Sequence, residues 1–127
     1  QLAIAPAWLD CCTGGWRDQL VRSGLDKTRD FGRYLGRRYM NTKNIIWILG
    51  GDRIPHEYLP YVRALAEGIR DFDRVHLMTA HSGSPHSAAE HYGQEPWLTL
   101  NSTYTYWPGL AGVGRPQFHI YAAAKRD

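Results

Sequence analysis

Residues 45–49, Ile-Ile-Trp-Ile-Leu, constrain the chain more than any other stretch. A short unbroken run of β-branched and apolar residues offers no polar face to water, so it reads as a strand buried on both sides, the condition of a parallel strand covered by helices. Gly50-Gly51-Asp52 closes it. Three further runs have the same character: residues 2–5 before Pro6, residues 77–80 before His81, and residues 97–100 before Asn101, with 98–100 as the core of the fourth strand.

Helical signals alternate with these strands. Residues 8–22, with Gly14-Gly15 and two Trp, read as a turn-rich loop. Ser23 stands three residues before Asp26, the spacing of a capping box, and predicts a helix that buries Phe31, Leu35 and Tyr39. Arg29, Arg33 and Arg37 fall on its opposite side and read as a solvated face. Pro60 opens another helix with Val62, Leu65, Ala66 and Ile69 as its apolar stripe. A short helix is expected over 87–92, and residues 118–125 read as the beginning of one more. The order β-α-β-α-β-(short α)-β-α implies a parallel α/β fold. It fits about four consecutive βα units of a TIM-type (β/α) barrel, or a small open doubly wound sheet. No G-x-G-x-x-G or Walker A sequence supports a nucleotide-binding sheet.

Composition narrows the function classes. The 127 residues fit one domain, and 43% hydrophobic with 21% charged residues is the balance of a globular protein. The net charge of +3 is spread along the chain with no basic run, so no nucleic-acid partner is expected. No apolar stretch approaches the roughly 18 residues that span a bilayer, and no membrane association is expected. The first residues, Gln-Leu-Ala-Ile-Ala-Pro, lack an initiator Met and a basic region, and read as the inside of a longer domain.

In either parallel architecture the chemistry gathers beyond the C-terminal ends of the strands. Those positions hold Trp8, Gly51 and Asp52, His81, and then Asn101 through Tyr106. Asp52 is the candidate catalytic carboxylic acid: it follows a fully apolar strand and two glycines that leave room beside it. Capping of the turn, or pairing with Arg53, is the structural alternative. Trp8, His81, Asn101, Tyr104 and Tyr106 are candidate substrate-binding residues. Tyr104, Tyr106 and Trp107 could form a sugar-stacking wall, or could equally be packed aromatics extending a strand. His81, His86 and His91 lie in a Ser/Gly/Pro-rich loop with no acid completing a ligand pattern, so no metal is expected. The adjacent Cys11 and Cys12 lack a visible base and oxyanion hole for a nucleophilic role. No cofactor is expected.

Several stretches together resemble the apiosidase-like glycoside hydrolases. These are Phe31-Gly32-Arg33-Tyr34-Leu35-Gly36-Arg37-Arg38-Tyr39, Asn44-Ile45-Ile46-Trp47-Ile48-Leu49-Gly50-Gly51-Asp52-Arg53, Arg63-Ala64-Leu65-Ala66-Glu67-Gly68-Ile69-Arg70, Glu95-Pro96-Trp97-Leu98 and Asn101-Ser102-Thr103-Tyr104-Thr105-Tyr106. The resemblance runs nearly end to end. It implies a (β/α)8 barrel and a retaining mechanism with two carboxyl groups, in which Asp52 is the acid/base. The whole chain would then be one piece of a single catalytic domain, its strands the third to sixth of the barrel. The nucleophilic Glu would lie outside the chain, since Glu57, Glu67, Glu90 and Glu95 occupy other positions. Thr99 stands where many relatives carry an acid.

The implied substrate is a plant cell-wall or pectic glycan, and a secreted or periplasmic location is expected for the full-length bacterial enzyme. The rest of the barrel is expected from flanking sequence. A non-catalytic carbohydrate-binding half barrel is the alternative, and an isolated chain of this kind is expected to be inactive as an enzyme.

Overall fold

A computed structural model describes residues 2–9, 15–52, 56–83 and 86–103. Its elements are β1 (Leu2–Ile4), α1 (Arg17–Ser23), α2 (Leu25–Tyr39), β2 (Ile45–Gly50), α3 (Leu59–Arg70), β3 (Leu77–His81) and α4 (Ala88–Tyr92). The three strands form one parallel sheet in sequence order, β1-β2-β3. Ile46 pairs with Leu77 and Gly50 with His81, so the C-terminal ends of β2 and β3 finish level.

Strand alternation sorts the sheet residues. Trp47 and Leu49 share one face with Met78 and Ala80, and all are buried with Val62, Leu65, Ala66 and Ile69 of α3. Full burial of such side chains is worth about 1.5–3 kcal/mol each, so this layer is the main source of stability. The other face carries Ile46 and Ile48, which are half-buried. The expectation of burial on both faces is therefore corrected: one face of β2 is covered and the other stands partly open. β1 departs further, with Leu2 62% exposed, because it lies at the sheet edge.

Helices α2 and α3 meet backbone to backbone. A Cβ on Gly36 would lie 2.4 Å from the Ile69 carbonyl oxygen, and one on Gly68 would lie 2.2 Å from that of Arg29. Alongside this seam runs an ion-pair ladder. Arg29 reaches Glu67 at 3.0 Å and Asp71 at 3.3 Å, and Arg33 reaches Asp71 at 2.7 Å. Arg37 lies over the Phe72 ring. The arginine row is thus not simply a solvated face; it binds α2 to the end of α3.

Three local expectations need correction. The 8–22 loop contains a helix, α1, whose N-cap is Trp16 with no side-chain cap bond. Ser23 ends α1 instead of capping α2: Gly24, at φ 83°, separates the helices, and the Thr28 hydroxyl donates to its carbonyl at 2.8 Å. The fourth strand over 98–100 is not a strand. That segment follows the outer edge of β3, but hydroxyls take the ladder positions: Thr99 Oγ1 accepts the Met78 N–H at 2.8 Å and Ser102 Oγ donates to Ala80 O at 2.8 Å. The Thr99 and Leu100 amides both turn onto one carbonyl, that of Met78. The helices expected at 60 and 87–92 are present as α3 and α4; the one expected over 118–125 lies outside the described residues.

Candidate active site

The sheet's C-terminal end is tied together by backbone. Leu9 N–H donates to Gly50 O at 3.1 Å, and Gly51 N–H donates to His81 O at 3.3 Å. Gly50 has φ 77°, and a Cβ on Gly51 would sit 2.1 Å from the Leu9 carbonyl oxygen, so glycine is required for this approach. The three strand ends are thereby laced across, and Asp52 leaves directly from the lacing.

Asp52 and His81 are brought together. Asp52 Oδ1 lies 3.6 Å from His81 Nδ1, longer than a hydrogen bond. Asp52 Oδ1 is buried and has no hydrogen-bond partner among the described residues, although a third of the side chain is exposed. Burying a carboxylate oxygen without a partner costs free energy, and this one lies beyond a strand's C-terminal end, where parallel α/β folds gather their chemistry. Trp8 packs on His81, ring centroids 4.6 Å apart and tilted by 55°. An aromatic plate, an imidazole and a carboxyl therefore come from three successive strand ends. Neither alternative for Asp52 is seen as a bond among the described residues, Arg53 itself lying outside them.

The remaining candidates separate. Asn101 is exposed, and its Oδ1 accepts the Ala89 N–H at 3.0 Å at the start of α4. Tyr104 and Tyr106 lie outside the described residues, as do Trp107, Cys11 and Cys12. Ser82, read from sequence as part of a polar loop, is 1% exposed with a hydroxyl lacking a partner among the described residues. Its burial has no signature in a Ser/Gly/Pro run.

The three histidines do not converge. His81 belongs with Trp8 and Asp52, whereas the His86 and His91 rings stand 4.9 Å apart and His86 Nδ1 meets Glu90 at 2.9 Å. Burial, with His86 and His56 nearby, holds His91 below its ordinary value. Among the described residues no group of three or more His, Cys, Asp or Glu is placed to hold a metal ion. No helix among them is long and apolar enough to cross a membrane.

Comparison with known proteins gives a family and a fold. Residues 1–127 match the model of the family described as apiosidase-like, catalytic domain. A solved glycoside hydrolase family 5 protein from Bacteroides vulgatus is 33% identical over 61% of this chain and 17% of its own, with a TM-score of 0.58. A second solved structure, described as a glycoside hydrolase, is 30% identical over 73% of this chain and 22% of its own, with a TM-score of 0.59. The chain thus spans about a fifth of the length of these structures. No curated protein matches it. The parallel sheet with its helices is part of a TIM-type barrel.

Proposed function

The chain belongs to the apiosidase-like glycoside hydrolase family, and from that premise we propose that it supplies the general acid/base of a retaining hydrolysis of glycosidic bonds in plant cell-wall, pectic glycans. Asp52 is the group. The observation that carries the reading is its unspent, buried Oδ1 at the C-terminal end of the sheet, facing His81 with Trp8 behind.

In the first step the protonated Asp52 carboxyl gives its proton to the glycosidic oxygen as the bond to the anomeric carbon breaks. A second carboxylate takes the anomeric carbon from the opposite face and forms a glycosyl ester. The Asp52 carboxylate then removes a proton from water, which attacks the anomeric carbon and releases the second carboxylate. Retention asks for the two carboxyls about 5–5.5 Å apart. Three of the chain's glutamates are otherwise engaged, Glu67 with Arg29, Glu95 with Arg63 and Glu90 with His86. The nucleophile belongs to a later strand of the same barrel, outside this chain, with the present strands beginning at the third. Trp8 and His81 form one wall for the sugar, and Asn101, beside α4, with Tyr104 and Tyr106, outside the described residues, stay as further substrate-binding candidates.

The test is Asp52→Asn in the protein that carries this chain. Hydrolysis of substrates with poor leaving groups should fall by about 10²–10⁴-fold, the usual worth of acid–base assistance. Glycosylation from activated aryl glycosides should fall much less, and azide should restore part of the turnover. An equal loss for all leaving groups, without azide rescue, would remove Asp52 from the mechanism and leave a binding role.

A further inference from the structure

A groove of about 710 Å³ lies between α1 and the start of α3, lined by Arg17, Asp18, Arg22, Glu57, Tyr58 and Tyr61. Its size is that of a small-ligand site. Its position follows from the topology: α1 comes after β1, and Glu57 and Tyr58 come shortly after Asp52. Both walls thus follow a strand end in the chain, and Asp52 is not among the residues lining the groove.

We propose that this groove is a carbohydrate subsite, separate from the Asp52 centre, that holds a neutral sugar ring of an extended or branched glycan. The proposal deepens the reading above and rests on it for the substrate class. Tyr58 and Tyr61 are one helical turn apart and supply apolar ring surface with a polar tip. Donors and acceptors stand beside these rings. Arg17 Nε donates to Asp18 Oδ1 at 2.8 Å, the Arg17 guanidinium stands 5.8 Å from the Tyr58 ring centre, and Arg22 Nε donates to the Asp18 carbonyl at 3.2 Å. Charge decides the ligand. Among the described lining residues two guanidinium groups and two carboxylates cancel, so an anionic sugar meets Asp18 and Glu57 while a cation meets Arg17 and Arg22. A neutral polyol, which needs donors and acceptors together, meets neither penalty.

The experiment is calorimetric titration of the protein carrying this chain, in wild-type and Asp52→Asn forms. The probes are neutral xylo-, arabino- and galacto-oligosaccharides, with oligogalacturonides as the anionic probe. At least one neutral probe should bind both forms, with little dependence on salt. Tyr61→Ala should weaken that binding by up to about tenfold, the scale of an aromatic contact, and Tyr61→Phe should retain most of it. A melting curve for Tyr61→Ala matching wild type separates loss of the platform from loss of fold; if it unfolds, Asp18→Asn takes its place and should weaken binding likewise. Absence of neutral-probe binding, salt-sensitive binding of oligogalacturonides alone, or binding indifferent to the folded groove variant each overturns the subsite. Normal hydrolysis by Asp52→Asn would overturn the catalytic assignment and leave the titration result standing.

Discussion

The Trp47 indole N–H donates to Asp73 Oδ2 at 2.8 Å, fastening the middle strand to a carboxylate that has no exposed surface. The same carboxylate meets His76 Nδ1 at 2.6 Å and accepts the backbone N–H groups of Val75 and His76. His76 Nε2 in turn lies 2.7 Å from Thr42 O. One side chain thus joins the turn before β3 to the loop before β2.

Burial alone would push the Asp73 carboxyl up, but the bonds from Trp47, His76 and Val75 outweigh it and hold the group below the ordinary carboxylate range. A depressed native value means stabilisation that is complete above the unfolded value, near about pH 4, and is lost as pH falls through the native one. Asp73→Asn should therefore cost at least about 1.5–3 kcal/mol at neutral pH, the worth of one charged hydrogen bond. Its stability should also fall less steeply than wild type below about pH 4. Acid titrations of thermal stability check both statements; parallel curves would refute the linkage.

Gly36→Ala tests the helix seam. Helix propensity favours alanine by about 0.5–1 kcal/mol, while overpacking costs about 1–3 kcal/mol. The obstructing atom is the Ile69 carbonyl oxygen, 2.4 Å from the new Cβ, and backbone cannot rotate aside as a side chain would. The clash should win and Tm should fall, whereas Gln19→Ala, at an exposed position of α1, should change it little. A higher Tm for Gly36→Ala would mean the helices separate at no cost.

Thr99 gives a prediction with two arms. Its hydroxyl oxygen accepts the Met78 N–H, and it also meets Arg70 Nη2 at 3.2 Å. Thr99→Val strands a buried amide at a cost of about 1–3 kcal/mol, and hydrogen exchange at Met78 should accelerate. Thr99→Asp keeps an acceptor and gives Arg70 a carboxylate. Burial holds the Arg70 guanidinium below its ordinary value, so a carboxylate there should preserve stability. Loss of stability in both variants would show that shape, not hydrogen bonding, selects Thr99.

Trp8→Ala should raise KM more than it lowers kcat. The indole touches His81 and not Asp52 in any described contact, so on the proposed reading its removal takes away binding surface and the support of one imidazole while leaving Asp52 in place. Steady-state kinetics on a long glycan and a short aryl glycoside distinguish the outcomes; a fall confined to kcat would place Trp8 in the chemical step.

The strands that make the candidate site were legible because β2 is an unbroken apolar run and β3 buries three consecutive residues, and Asp52 stood out against that background. α3 was legible through Pro60 and its regular apolar spacing. The misreadings have a common physical source, which is competition between side-chain and backbone hydrogen bonding. Ser23 and Asp26 offered a capping box, yet Gly24 at positive φ ended one helix and began the next without either. Thr99 looked like an ordinary strand residue and Ser102 lay just past the expected strand, yet their hydroxyls took the ladder positions along β3. The approach of Trp8 to His81 depends on how the loop after β1 returns, which spacing does not encode.

The lacing of Leu9, Gly50, Gly51 and His81 separates two properties that an enzyme must often change independently. Asp52 takes its position from main-chain hydrogen bonds and from the two glycines that let them form. The loops beyond carry the residues that would choose among sugars, and loops tolerate substitution and insertion. Substitutions in those loops can therefore change what surrounds Asp52 without moving the backbone that carries it.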